Sequence, residues 1–159
     1  MTKPDSYTLV DYNKIVESFH KESDRGAAIL ASSFIEVFLE KLIRHFLRKD
    51  TIVNKLFDGY GPLSTFASKS DMAFSIGYIN KNIHRDLKFI RKIRNHFAHH
   101  PGEASFDKNP VKDYCKELST AQSCYNPKSM YLISVGLAVG GMHNTILANS
   151  KQRSRKLGM

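Results

Sequence analysis

The chain has 159 residues, 42% of them hydrophobic and 25% charged. That is the length of one domain with an ordinary globular composition, so disordered, collagen-like and fibrous classes are excluded. The formal net charge is +9, from 24 Lys and Arg against 15 Asp and Glu, which favours an anionic partner: nucleic acid, a membrane surface or an acidic protein.

Hydrophobic spacing predicts helices throughout. The first spans Leu9 to Lys21, with Ile15 and Phe19 at helical spacing. Ser23 reads as an N-cap, and Asp24 suits the positive end of the helix that follows. That helix is expected to run to about Arg48. Ala27, Ala31, Phe34, Ile35, Phe38, Leu42 and Phe46 keep its period, and Glu40 and Arg44 form an i,i+4 pair on its polar side. Asp58 to Pro62 is a break. A short helix from Ser70 to Tyr78 is separated by Asn80 or Asn82 from one that runs from Lys81 to His99 and stops before Pro101-Gly102. Glu103 to Pro110 reads as a loop, Val111 to Leu118 as a shorter helix, and Pro127 as the start of the last helix, with the basic tail Lys151 to Lys156 within its reach. The expected fold is therefore all-α, a single-domain bundle of about six helices. Residues 1–150 are expected to form the domain and residues 151–159 a basic tail.

Cys115 and Cys124 are the only cysteines. They have no zinc-site spacing, and a reduced cytoplasmic setting is expected. The N-terminal residues lack a signal-peptide pattern. Met130 to Met142 is apolar but short of the roughly 20 residues a bilayer requires, so a core helix rather than a membrane span is expected. Gly136 and Gly140, four apart, point to close helix packing there. No phosphate-binding glycine loop and no metalloprotease motif occurs. No cofactor and no metal are expected; His96, His99 and His100 are read as cations at a helix C-terminus.

The Lys81–His99 helix carries the functional signal. At about 100° per residue, Ile83, Leu87, Ile90, Ile93, Phe97 and Ala98 share one broad face. Lys81, Arg85, Lys88 and Lys92 form a stripe opposite, continued by Asn95 and His99. The stripe is either a solvated face or a set of phosphate-facing cations. Arg94 projects into the apolar face. An arginine keeps its charge, so it must meet a carboxylate, with Asp24, Glu36 and Asp86 as candidates, or else line a cleft or interface.

Arg94-Asn95-His96-Phe97-Ala98-His99 reads R-N-x-x-x-H, which resembles the motif of the HEPN superfamily of small helical domains, some of them metal-independent ribonucleases. That resemblance implies Arg94 and His99 as catalytic groups with Asn95 in support, often across a dimer. The chemistry would be attack of a ribose 2′-hydroxyl on its own phosphate, a histidine moving the proton and an arginine stabilising the phosphorane. On a straight helix, Arg94 and His99 point about 140° apart. Their convergence would need a distorted helix end or two subunits.

A longer resemblance covers about residues 12–148. It is carried by Glu22–Ala27 (ESDRGA), Phe57–Phe66 (FDGYGPLSTF), Asp71–Gly77 (DMAFSIG), Arg85–His99 (RDLKFIRKIRNHFAH), Ser105–Asp107 and the apolar helix after Pro127. These resemble the mannitol operon repressor family. The resemblance implies an all-helical regulator of sugar-alcohol uptake genes, and it implies that Arg25, Asp86, Arg94, Asn95 and His99 form one polar site. No helix-turn-helix with a recognition helix is apparent. The expected function is accordingly a repressor-like regulator acting through protein or phosphate contacts, without substrate turnover. The alternatives are an HEPN-like ribonuclease using Arg94 and His99, and a non-catalytic adaptor or antitoxin. The expected partners are a regulatory protein, nucleic acid along the basic face and a second copy of the chain, with no membrane.

Overall fold

The computed structural model describes residues 9–121 and 125–157, with side chains from residue 11 to residue 152 within those segments. Cys124 and the side chains of the basic tail beyond Gln152 lie outside the described residues. Seven α-helices occur among them, and no strand: α1 (Leu9–Ser18), α2 (Asp24–Phe46), α3 (Asn54–Phe57), α4 (Phe66–Ser75), α5 (Lys81–His99), α6 (Val111–Lys116) and α7 (Pro127–Leu157). Short 3-10 turns at Phe19–Lys21 and Thr51–Val53 precede α2 and α3. The protein is all-α, as its periodicity predicts.

Helix α2 is the axis of the bundle. α7, α5 and α4 pack around it, while α1 and α6 lie against α7. Its inward residues Ala27, Ala28, Ala31, Ile35, Leu39, Leu42 and Ile43 are fully buried. The run of alanines lets α7 approach closely, and Tyr131 on α7 donates its hydroxyl to the Ala28 carbonyl at 2.8 Å. From α5, Leu87, Ile90, Ile93 and Phe97 close the core, and from α7 Leu132, Val135, Val139 and Met142 do the same.

Capping explains the boundaries. Ser23 accepts from Gly26 N at 3.0 Å and starts α2. Asn80 accepts from Ile83 N at 2.9 Å and starts α5. α4 begins at Phe66, four residues before the expected Ser70, because Thr65 and Ser68 form a reciprocal capping box. It ends at Ser75, since Gly77 takes a positive φ of 80° that reverses the chain. α3, which periodicity does not reveal, is a single turn.

The Asp58–Pro62 break contains two glycines with backbone reasons. Gly59 has φ 58°, and a Cβ on Gly61 would sit 2.4 Å from the Lys55 and Leu56 carbonyl oxygens. Glu40 and Arg44 pair at 2.8 Å as expected. The buried Lys69 extends this group, reaching Glu36 at 3.1 Å and Glu40 at 3.3 Å.

α7 reaches through the basic tail, as the sequence allows. It has 31 residues, and its stretch Pro127–Gln152 is long and apolar enough to cross a membrane by length and composition. In the fold it packs on α1, α2 and α6, with Tyr131, Leu132, Val135, Ala138, Val139 and Met142 buried in the core. The helix continues without a break to Leu157.

Candidate functional site

The first turn of α2 and the last turns of α5 meet. Phe97 cannot place its carbonyl on the N–H four residues ahead, because that residue is Pro101. Arg25 supplies the donor instead, with Nη2 2.6 Å from the Phe97 oxygen. One residue earlier on α2, Asp24 accepts from Phe106 N and from Ser105 Oγ, both at 3.1 Å. That draws the 103–110 loop over the same end and buries Phe106 against Phe97 and Tyr131. Lys128, at the start of α7, donates to the Glu22 carbonyl at 2.6 Å. The Glu22–Ala27 and Ser105–Asp107 segments, far apart in sequence, thus build one corner of the molecule.

Arg94 is half-buried near this corner. None of the three expected carboxylates reaches it. Asp24 holds the loop, Glu36 holds Lys69, and Asp86 accepts from Ser119 N at 2.8 Å and from Ser119 Oγ at 2.6 Å. Arg94 instead donates through Nη1 to Asn95 Oδ1 at 3.0 Å. Burial pushes the Tyr131 hydroxyl far above the usual phenol range, and a bond with Ser32 and the nearby Arg94 charge offset part of that rise. Arg94 is therefore a cation at the edge of the core, with an amide as its only bonded neighbour among the described residues.

Arg94, Asn95 and His99 lie in the last turns of α5, where Arg25 of α2 bonds the Phe97 carbonyl. Asp86 does not join them. It lies eight residues earlier, about 12 Å along the helix, where it is 5% exposed and ties α5 to the turn after α6. α5 is regular through His99, so within one chain His99 and Arg94 diverge, and His99 is exposed. His96 and His100 stack at 4.1 Å. Burial, and then the His100 charge, hold His96 below the usual imidazole range. No group of three metal-ligating side chains occurs among the described residues.

The basic stripe is exposed at Lys81, Arg85, Lys88 and Lys92 but is not uniform. Arg85 pairs with Glu117 at 2.8 Å, and the Lys92 ammonium rests over the Phe89 and Tyr114 rings, 5.0 and 5.5 Å from their centroids. Ala98, expected on the apolar face, is exposed, because the covering elements reach only as far as Phe97. Sequence reasoning missed Arg91, which lies three residues after Lys88 and next to Lys92 and lines the same cleft with them. It also missed Ser70 on α4, whose burial depends on how α4 packs.

The chain matches the family model described as Mannitol repressor over residues 11–134. Among solved structures it is similar to a chain of the MtlR–HPr complex from Escherichia coli, with a TM-score of 0.71 and 18% identity, covering 82% of this chain and 97% of that one. It is also similar to YggD of Shigella flexneri, described as a possible transcriptional regulator, with a TM-score of 0.63 and 13% identity, covering 89% of this chain and 98% of that one. No curated protein matches it in sequence. At these identities the solved structures establish the fold, while the family rests on the match across residues 11–134. The chain belongs to the mannitol repressor family.

Proposed function

We propose that the protein is a cytoplasmic transcriptional regulator that acts by gripping a partner protein rather than by reading bases. The observation that carries this reading is the groove between α1 and α7, about 650 Å³ in volume and lined by Val16, Leu132, Ile133 and Leu137 with Glu17 at its edge. Leu137 on α7 is 58% exposed, an apolar side chain of the kind protein interfaces cover. The similar MtlR chain was solved in complex with HPr, which supports a protein partner and makes HPr the first one to test. The cations of α5 suit phosphate contacts, which position a protein on nucleic acid but carry no sequence information. The regulated genes belong to this proposal only as a class, sugar-alcohol uptake genes.

Calorimetric titration with purified HPr tests the reading. Binding that Leu137→Asp weakens at least tenfold supports it. The absence of binding, together with salt-resistant, sequence-selective binding to an operator fragment, would replace it with direct DNA recognition.

A second reading is favoured by the exposure of His99 and the part exposure of Arg94 and Asn95, with no carboxylate on Arg94 or His99 among the described residues. It is metal-independent RNA cleavage with Arg94 and His99 drawn from two copies of the chain. Incubation with RNA in EDTA, beside an Arg94→Ala/His99→Ala variant, decides it. Cleavage that the variant lacks would make the protein a ribonuclease, and intact RNA with both proteins would remove that reading.

A further inference from the structure

Ser70 is 4% exposed, and its hydroxyl has no hydrogen-bond partner. Buried polar groups are ordinarily satisfied, and an exception calls for a reason. Other helical serines here turn back onto the preceding turn: Ser75 donates to the Asp71 carbonyl at 2.7 Å and Ser32 to the Ile29 carbonyl at 2.9 Å. The Ser70 hydroxyl does not. Ser70 is one of the residues that line a cleft of about 280 Å³ between α4 and α5, its hydroxyl lying just beneath the surface.

The walls of that cleft are apolar, formed by Phe66, Ala67 and Leu87, and its mouth carries Lys88, Arg91 and Lys92. Three cations at i, i+3 and i+4 repel one another along a helix, and no carboxylate pairs with any of them among the described residues. One carboxylate stands at the rim. Asp71 has Oδ1 2.7 Å from His84 Nε2, so that oxygen is already engaged. The cleft thus sets three cations and an unpaired hydroxyl donor against a single carboxylate.

We propose that this cleft binds a small-molecule phosphate monoester. A phosphate monoester carries a charge of about −1.5 to −2 at neutral pH and three acceptor oxygens. Arg91 offers a planar fork of N–H donors and Lys88 an ammonium donor. Lys92 adds positive charge at the mouth while its ammonium rests over Phe89 and Tyr114, and the unpartnered Ser70 hydroxyl beneath them is free to turn to the ligand. The organic part of the ligand lies against Phe66 and Ala67. A nucleic-acid backbone fits less well, because successive phosphates need an open track. Here the next cation along α5, Arg85, is held by Glu117, and Asp71 repels a second phosphate at the rim. The site stands independently of whether the protein regulates transcription.

The test uses the full chain with inorganic phosphate, phenyl phosphate and phenyl sulfate at constant ionic strength, read by thermal shift and by calorimetric titration. Phenyl phosphate is expected to raise Tm and to bind at least tenfold more tightly than phenyl sulfate, with inorganic phosphate between them. Arg91→Ala is expected to weaken phenyl phosphate at least tenfold and Lys88→Ala severalfold, while Lys81→Ala, outside the cleft, leaves it unchanged. Ser70→Ala gives the sharpest reading. It is expected to melt no lower than the parent, since it removes an unsatisfied hydroxyl, and yet to lose severalfold in phenyl phosphate affinity. No phosphate-specific shift, or equal shifts in the parent and Arg91→Ala, would overturn the proposal. Displacement of phenyl phosphate by a short DNA duplex, with Lys81→Ala and Arg91→Ala weakening the duplex alike, would overturn it in favour of a nucleic-acid surface.

Discussion

The Arg25 guanidinium bonds the Phe97 carbonyl across 72 positions of sequence, at 2.6 Å. It satisfies an acceptor that Pro101 leaves open, and it places a cation at the negative end of α5. Arg25→Met keeps the aliphatic stem and removes the donor. The expected loss is about 1–2 kcal/mol of folding stability, read as a lower urea midpoint with an unchanged slope. A variant as stable as the parent would mean that water replaces the guanidinium at no cost.

Arg94→Ala is expected to cost about 1 kcal/mol or less, because Arg94 bonds only the Asn95 amide, a neutral partner. Had it been half of a buried ion pair, the loss would be about 3–5 kcal/mol. A melting curve of the variant separates the two. A loss in the larger range would mean that a carboxylate reaches Arg94 in solution.

Asp86 makes the opposite case. It is buried, and it satisfies both the backbone N–H and the hydroxyl of Ser119. Asp86→Ala strands that N–H and loosens the turn after α6, for an expected loss of about 2–3 kcal/mol. Backbone amide exchange provides the local check: the Ser119 amide should lose protection relative to that of Ile90 in the core.

Two histidines set an acid limit. His143 is held below the ordinary imidazole value of 6.5, first by burial and then by Lys41. His96 is held below it by burial and then by His100. In both cases the unfolded chain binds the proton more readily than the folded one. Their contribution to stability is therefore fully present above pH 6.5 and is lost as pH falls from there through the lowered folded values. Tm should drop between pH 7 and pH 5, and the slope should be shallower in a His96→Asn/His143→Asn variant. An equal slope would assign the acid sensitivity to other groups.

Helix-forming spacing, caps and breakers are local properties, and they were readable residue by residue. Ser23, Asn80 and the Glu40–Arg44 pair occupy the roles that their neighbours in the chain assign. The buried face of α5 follows from a period of 3.6 up to Phe97. α3 escaped because one turn carries no period, and the early start of α4 escaped because a Thr65–Ser68 box lacks the usual acidic N3 residue. α7 runs on into the basic tail because nothing after Pro127 breaks a helix, although its polar C-terminal third looks unlike its apolar first half.

Length, composition and the order of motifs determined by themselves the helical class, the family and the concentration of charge on α5. What each charge does was decided only by packing. A wheel shows that Arg94 faces inward, but not that it meets no carboxylate among the described residues while Asp86 meets a turn 33 positions away. Ser70 reads as an ordinary helical serine until α4 lies against α5 and closes a cleft over it. Hydrogen bonds act over about 3 Å, and partners tens of positions apart come within that reach only when the helices carrying them have packed.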